Sequence, residues 1–232
     1  MVFAATEWNG IAASLPSPGE LSDPGAGDPV VTHRTSWVRR LAIAGGLIYV
    51  KTYDYPTWGA RLGNWAKHTA PWRRSRPSHE VRALVWLAAN GFHTPRPLAV
   101  LEWRTAGFLR RATLATTACA GEPADRLLAI APAAERPAIA TAIGGFVAAL
   151  HRCGFRDRNL DLRNLIVHRN GPSFVVAKID SPRFRLVRPG DRDDRLRRAD
   201  WQRLLPQLAT FGVADAAVAA ARAVVHPPGQ VS

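Results

Sequence analysis

Four side chains have types and spacing suited to one piece of chemistry. Lys51 lies within an apolar run, Leu47 to Tyr53; Glu80 opens the next helical run; Asn164 closes a polar loop; Asp180 follows a second apolar run, Phe174 to Ile179. Phosphoryl transfer requires oxygen ligands that hold a divalent metal on nucleotide phosphates, and a hydroxyl aimed at the terminal phosphorus. Asn164 and Asp180, on either side of a predicted hairpin, could supply such ligands. Each residue also has a bland use: a strand-edge lysine with its head in water, an acid complementing a helix dipole, a loop-capping amide, and the start of an Asp-Ser-Pro turn. The occurrence of all four in order, each in matching local structure, favours metal and phosphate binding.

The elements that must position them are legible in outline. Residues 1–30 are rich in proline and glycine and read as an irregular arm. Trp37 to Ala44 and Leu47 to Tyr53 predict two strands joined at Gly45-Gly46, with Lys51 on the second. A long aromatic and basic insertion, Asp54 to Arg76, follows and carries Trp58, Trp65, Trp72, Arg73 and Arg74. That mixture suits a membrane face or a sugar surface, with simple packing as the alternative. Ser75 then caps a helix that Asn90-Gly91 closes, and two more strands run from Pro95 to Trp103 and from Gly107 to Arg111. Helices are expected from Ala124 to Ile130, Glu135 to Arg152, Arg192 to Leu208 and Ala214 to Val225. A hairpin, Leu165 to His168 and Phe174 to Ile179, turns at Asn170-Gly171. His151 reads as a structural hydrogen-bonding residue, and the other histidines lack metal-ligand spacing. The charge run from Arg183 to Arg203 reads as a helix laced with local ion pairs.

The order of strand lysine, helix glutamate, loop asparagine and post-strand aspartate resembles the protein-kinase-like fold. More narrowly, the chain resembles the bacterial lipopolysaccharide core kinases (Kdo/WaaP-like), which phosphorylate Kdo or heptose sugars. The resemblance spans about Thr35 to Leu208. It rests on Val50-Lys51-Thr-Tyr53, Arg74-Ser75-Arg76-Pro-Ser-His-Glu80, Leu87-Ala-Ala-Asn-Gly-Phe-His-Thr-Pro-Arg-Pro97 and His151 through Leu162-Arg163-Asn164-Leu-Ile-Val167. It implies an α+β, two-lobed fold: a small antiparallel N-terminal sheet with one helix at residues 31–112, and a reduced, mainly helical C-terminal lobe at 113–232. It also implies that Lys51 contacts the phosphates of ATP, that Glu80 pairs with Lys51, and that Asn164 and Asp180 bind Mg2+. The acceptor would be a hydroxyl of an anionic glycolipid sugar. The setting would be cytoplasmic, with peripheral contact at the inner membrane an open option.

Two departures stand against the family pattern. An aspartate is expected five residues before the metal-binding asparagine, and position 159 is asparagine. An amide cannot take up the hydroxyl proton, although Asn159 can orient a hydroxyl. Asp161 is the expected substitute base, and Asp157 is expected to pair with Arg156 or Arg158. Loss of the aspartate also leaves open a pseudokinase acting as a binding or scaffold protein, and a small-molecule or protein kinase on the same fold. Secondly, no glycine-rich phosphate-covering loop precedes Lys51.

Composition narrows the partners. The 232 residues carry 31 basic and 18 acidic side chains, a formal charge of +13, and only Lys51, Lys67 and Lys178 are lysines. Arginine suits forked recognition of phosphate, which points to an anionic partner, with genomic base composition as the alternative source of the arginine excess; the kinase-like resemblance moves nucleic acid down the ranking. A composition 47% hydrophobic excludes a disordered chain, and no apolar run is long enough to span a bilayer. No secretory signal is recognisable, and Cys119 and Cys153 are expected to be buried packing residues in a reducing compartment.

Overall fold

The computed structural model describes residues 14–188 and 195–225. The start of the arm and the acids Asp191, Asp193 and Asp194 of the charge run lie outside the described residues. So does Arg192, where the third helix of the second half was expected to begin. The chain divides into two units, Met1–Trp86 with Pro95–Ala118, and Leu87–Thr94 with Cys119–Ser232.

The first unit is built on a five-stranded antiparallel sheet. Its strands are β1 (Asp28–His33), β2 (Ser36–Ile43), β3 (Gly46–Asp54), β4 (Pro97–Thr105) and β5 (Phe108–Thr117), ordered β1-β2-β3-β5-β4. β3 is therefore central, and Lys51 pairs with Val38 on one side and Leu114 on the other. Strand alternation sends Ile48 and Val50 to a core with Leu21, Leu98, Ala99 and Ala115. It sends Lys51 to the opposite face with Tyr53. The strand predicted to end at Arg111 continues to Thr117. Ala112 to Thr116 are buried, so the polar alternation that reveals a half-buried strand is absent there. A lobe boundary at 112/113 would cut this strand.

Part of the arm expected to be irregular is helical, and so is much of the insertion. In the arm, α1 (Pro18–Ser22) starts on a capping box in which Ser17 and Glu20 exchange hydrogen bonds, and it buries Leu21. The insertion holds α2 (Trp58–Gly63) and a π-helical turn (Trp65–Thr69). Helix α3 (Arg76–Ala89) begins where the Ser75 hydroxyl accepts the Ser78 N–H at 3.1 Å. Val81 and Leu84 pack on Leu114 and Val100.

The second unit is mainly helical: α4 (Ala124–Ile130), α5 (Arg136–Arg152), α6 (Arg195–Ala209) and α7 (Ala214–Val225). One core joins Ile139, Ile143 and Val147 of α5 to Leu128, Leu165, Val176, Leu204 and Ala217. Gly144 is required where α5 meets α7, because a Cβ there would lie 2.1 Å from the Ala217 carbonyl oxygen. Two short strands, β6 (Glu122–Pro123) and β7 (Phe155–Arg156), precede the hairpin of β8 (Leu165–Asn170) and β9 (Ser173–Lys178). β7 pairs with β10 (Arg185–Leu186). Both cysteines are free and half-buried rather than fully buried. Among the described residues, no helix is long and apolar enough to cross a membrane.

Candidate active site

In the first unit the structure brings Lys51 and Glu80 together. Leu114, the cross-strand neighbour of Lys51, packs under Val81 and Leu84, so the buried first turns of α3 cover that face of the sheet. Glu80 Oε2 consequently lies 3.2 Å from Lys51 Nζ, and the ammonium also stands 5.6 Å from the Tyr53 ring centroid. Lys51 is thus not an edge residue; it is held on a central strand by a nearly buried carboxylate. Between the hydrogen-bonded Thr52 and Thr113 hydroxyls, 2.9 Å apart, β3 and β5 are tied beside it.

In the second unit the hairpin register sets the geometry of the other two residues. Leu165 opposes Lys178, and the ladder continues as Ile179 N–H donates to Asn164 O at 3.0 Å. Asn164, in a 3-10 turn (Leu162–Asn164), and Asp180 therefore leave the same end of the hairpin. Asn159 links them. Its Nδ2 donates to Asp180 O at 3.2 Å and to Asp180 Oδ2 at 3.1 Å, while Asn164 Nδ2 donates to Asn159 O at 2.9 Å. Both Asp180 atoms are acceptors, so the nitrogen of the Asn159 amide must face them and its Oδ1 is the acceptor atom. Asp180 has a left-handed backbone with φ 57°, a conformation aspartate tolerates better than most residues.

It is Asn159, and not Asp161, that meets Asp180. Asp161 Oδ1 instead accepts from Arg203 Nε and Gln207 Nε2, each at 3.0 Å, which ties the loop to α6. Its Oδ2 lies 3.5 Å from Arg163. Asp157 does not take the arginine partners expected for it, since Lys178 Nζ lies 3.1 Å from its Oδ2 in a fully buried pair. Burial pushes the Asp157 carboxyl above its ordinary range, and the Lys178 charge opposes that rise. Lys178 also donates to Ile179 O, directly before Asp180.

Asp200 holds the loop from below. Its Oδ2 accepts the Asp157 N–H at 3.0 Å and its Oδ1 the Arg158 N–H at 2.8 Å, fixing Arg158 at φ 58°. A left-handed arginine is strained, and the two carboxylate bonds offset that strain. The same Oδ2 lies 3.1 Å from His151 Nε2. Burial lowers the His151 pKa, so the imidazole is neutral, with Nε2–H donating and the buried Nδ1 lacking a partner. Asp200 is thus a buried organiser of backbone, not one of the surface ion pairs expected of the charge run. Sequence reasoning missed Asp200 and the Lys178–Asp157 pair. The one available signal was a lysine closing an apolar strand.

The donor set suits magnesium. Among the described residues no three His, Cys, Asp or Glu side chains converge. One carboxylate and one amide oxygen at the hairpin end match an ion that keeps water and phosphate oxygens as most of its ligands.

A five-stranded antiparallel sheet presenting a lysine–glutamate pair, and a helical unit presenting an Asn/Asp hairpin end beside a strained polar loop, define a kinase-like fold. The profile of the lipopolysaccharide kinase (Kdo/WaaP) family matches residues 58–223, and the chain belongs to that family. The match begins after Lys51. The fold is similar to that of a solved structure, WaaP in complex with acyl carrier protein. That likeness has a TM-score of 0.61 at 16% identity, over 94% of this chain and 81% of the other. No curated protein matches the chain.

Proposed function

We propose that the protein is an ATP- and magnesium-dependent kinase that phosphorylates a hydroxyl of an anionic lipopolysaccharide core sugar. The observation that carries this reading is the Asn159–Asn164–Asp180 cluster, which gathers an orienting amide and two metal-type oxygen donors at one hairpin end. In this reading Lys51, held by Glu80, binds nucleotide phosphates as a fixed positive charge. Magnesium bound by Asn164 and Asp180 would supply neutralisation of the charge on the phosphates. Asn159 Oδ1 accepts the hydrogen bond of the acceptor hydroxyl and aims its oxygen, but it does not hold the proton, which leaves to a phosphate oxygen or to water. Asp161 serves the loop through Arg203 and Gln207 rather than serving as base.

Calorimetric titration with ATP tests this reading. Wild type should bind in the presence of magnesium, and Asp180→Ala and Lys51→Met should each weaken binding at least about tenfold. Absence of magnesium-dependent binding in the wild type would end it. The engagement of both Asn159 and Asp161 within the chain favours a second reading, a pseudokinase that binds nucleotide without transfer. Asn159→Asp separates the two: a kinase limited by its missing base gains roughly a hundredfold in transfer rate, whereas a pseudokinase has no transfer to increase. Parallel assays with lipopolysaccharide core sugars, aminoglycosides and protein substrates identify the acceptor class.

A further inference from the structure

The insertion between β3 and α3 buries Tyr55 and Ala70 but leaves four large apolar side chains exposed. Trp58 is 49% exposed, Leu62 59%, Trp65 42% and Trp72 69%. Trp58 and Leu62 are one helical turn apart on α2 and so share a face. Trp65 and Trp72 meet edge-on with ring centroids 5.5 Å apart. The segment beneath them is tightly held. Buried Arg61 donates to the carbonyls of Tyr55 at 2.9 Å and Pro56 at 2.8 Å, and its guanidinium lies 4.8 Å from the Trp58 ring centroid. Arg104, paired with Glu102, donates to the carbonyls of Pro71 and Arg73 and fixes the loop that carries Trp72. Trp58 also packs edge-on against Phe108, with ring centroids 5.5 Å apart, so the exposed parts of these indoles belong to an ordered surface.

Along the segment itself the charge has one sign, and the nearby Glu102 is paired with Arg104. From residue 55 to residue 79 the chain contains Arg61, Lys67, Arg73, Arg74 and Arg76 and no aspartate or glutamate, and Arg73 and Arg74 are exposed beside Trp72. Indoles sit well at the boundary between headgroups and acyl chains, where an apolar body meets polar surroundings, and guanidinium groups pair with lipid phosphate in forked fashion. We infer that Trp58, Leu62, Trp65 and Trp72, with Arg73 and Arg74, form a docking face for an anionic lipid bilayer. The inference rests on the reading of the acceptor as a glycolipid, which the enzyme must meet at a membrane surface.

Flotation of the full chain with phosphatidylcholine vesicles, with and without phosphatidylglycerol, tests the face without nucleotide or acceptor. Wild type should float only with the anionic vesicles. Leu62→Ser combined with Trp72→Ser should lower partitioning about tenfold or more, and Arg73→Ala combined with Arg74→Ala roughly thirtyfold. Unchanged circular dichroism and unchanged magnesium–ATP binding of these variants would assign the loss to the face. Failure of the wild type to float, or flotation indifferent to these substitutions, overturns the inference. So does a wild-type dimer that Leu62→Ser with Trp72→Ser dissociates, because the face would then cover itself. ATP binding is measured without lipid, so failure here leaves the kinase reading standing, and the converse failure is equally separable.

Discussion

Replacing Lys178 by methionine removes the charge that compensates Asp157 while keeping the volume of the side chain. The two side chains are 0% and 2% exposed, with nitrogen and oxygen 3.1 Å apart. At an effective dielectric of about 20 their attraction is about 5 kcal/mol. Removing one partner of such a buried pair costs about 3–5 kcal/mol, because the remaining charge is left without compensation. Lys178→Met should therefore lower unfolding free energy in urea by about 3–5 kcal/mol, and the double variant with Asp157→Leu should recover most of that loss. A pH series adds a check. Without Lys178 the burial that raises the Asp157 pKa is unopposed, so the folded variant binds a proton more tightly than the unfolded chain. Its stability then falls as pH rises from the unfolded carboxyl value, about 3.9, through the raised folded value. The deficit against wild type should accordingly be largest at neutral pH and shrink on acidification. Far-ultraviolet circular dichroism during urea titration reads all of this. A single-variant cost below about 1 kcal/mol, or costs that simply add in the double variant, would refute the reasoning.

Other outcomes follow from single observations. His151 has its pKa lowered by burial, so the unfolded chain takes up a proton that the native state resists; the associated stability is present above about pH 6.5 and is lost as pH falls from there through the lowered native value. Thermal melts of His151→Gln should lack that acid-side loss. Gly144→Ala should destabilise by about 1–3 kcal/mol in chemical denaturation, since the added methyl group meets the Ala217 backbone and not a movable side chain. Burial pushes the Cys119 thiol up to about 11. At pH 8 roughly a thousandth of it is thiolate, and iodoacetamide should label it about a hundredfold more slowly than a free cysteine peptide.

The parts of the site that could be read from sequence are those fixed by local pattern. Lys51 lies in an apolar strand, Glu80 follows a serine cap, and Asn164 and Asp180 flank a hairpin with a strong Asn-Gly turn, so secondary structure alone orders them. What holds them is non-local. Asp200 reaches the amides of Asp157 and Arg158 from another helix, and Asp161 is claimed by Arg203 and Gln207, which no spacing rule connects to it. That is why Asp161 read as a base while the structure gives Asn159 the contact with Asp180. The strand β1 was missed because every residue in it is exposed and no apolar alternation marks it. Helix α1 was missed although Ser17 and Glu20 carry a capping signature, because the surrounding prolines and glycines read as irregular.

The central claim is phosphoryl transfer organised by the Asn159–Asn164–Asp180 cluster. Its most direct test is transfer of labelled terminal phosphate from ATP to lipopolysaccharide core acceptor, with magnesium, by wild type and by Asp180→Ala. Wild type should label the acceptor, and Asp180→Ala should lose at least about a hundredfold of that transfer. Equal transfer by the two proteins, or none by the wild type, would contradict the claim.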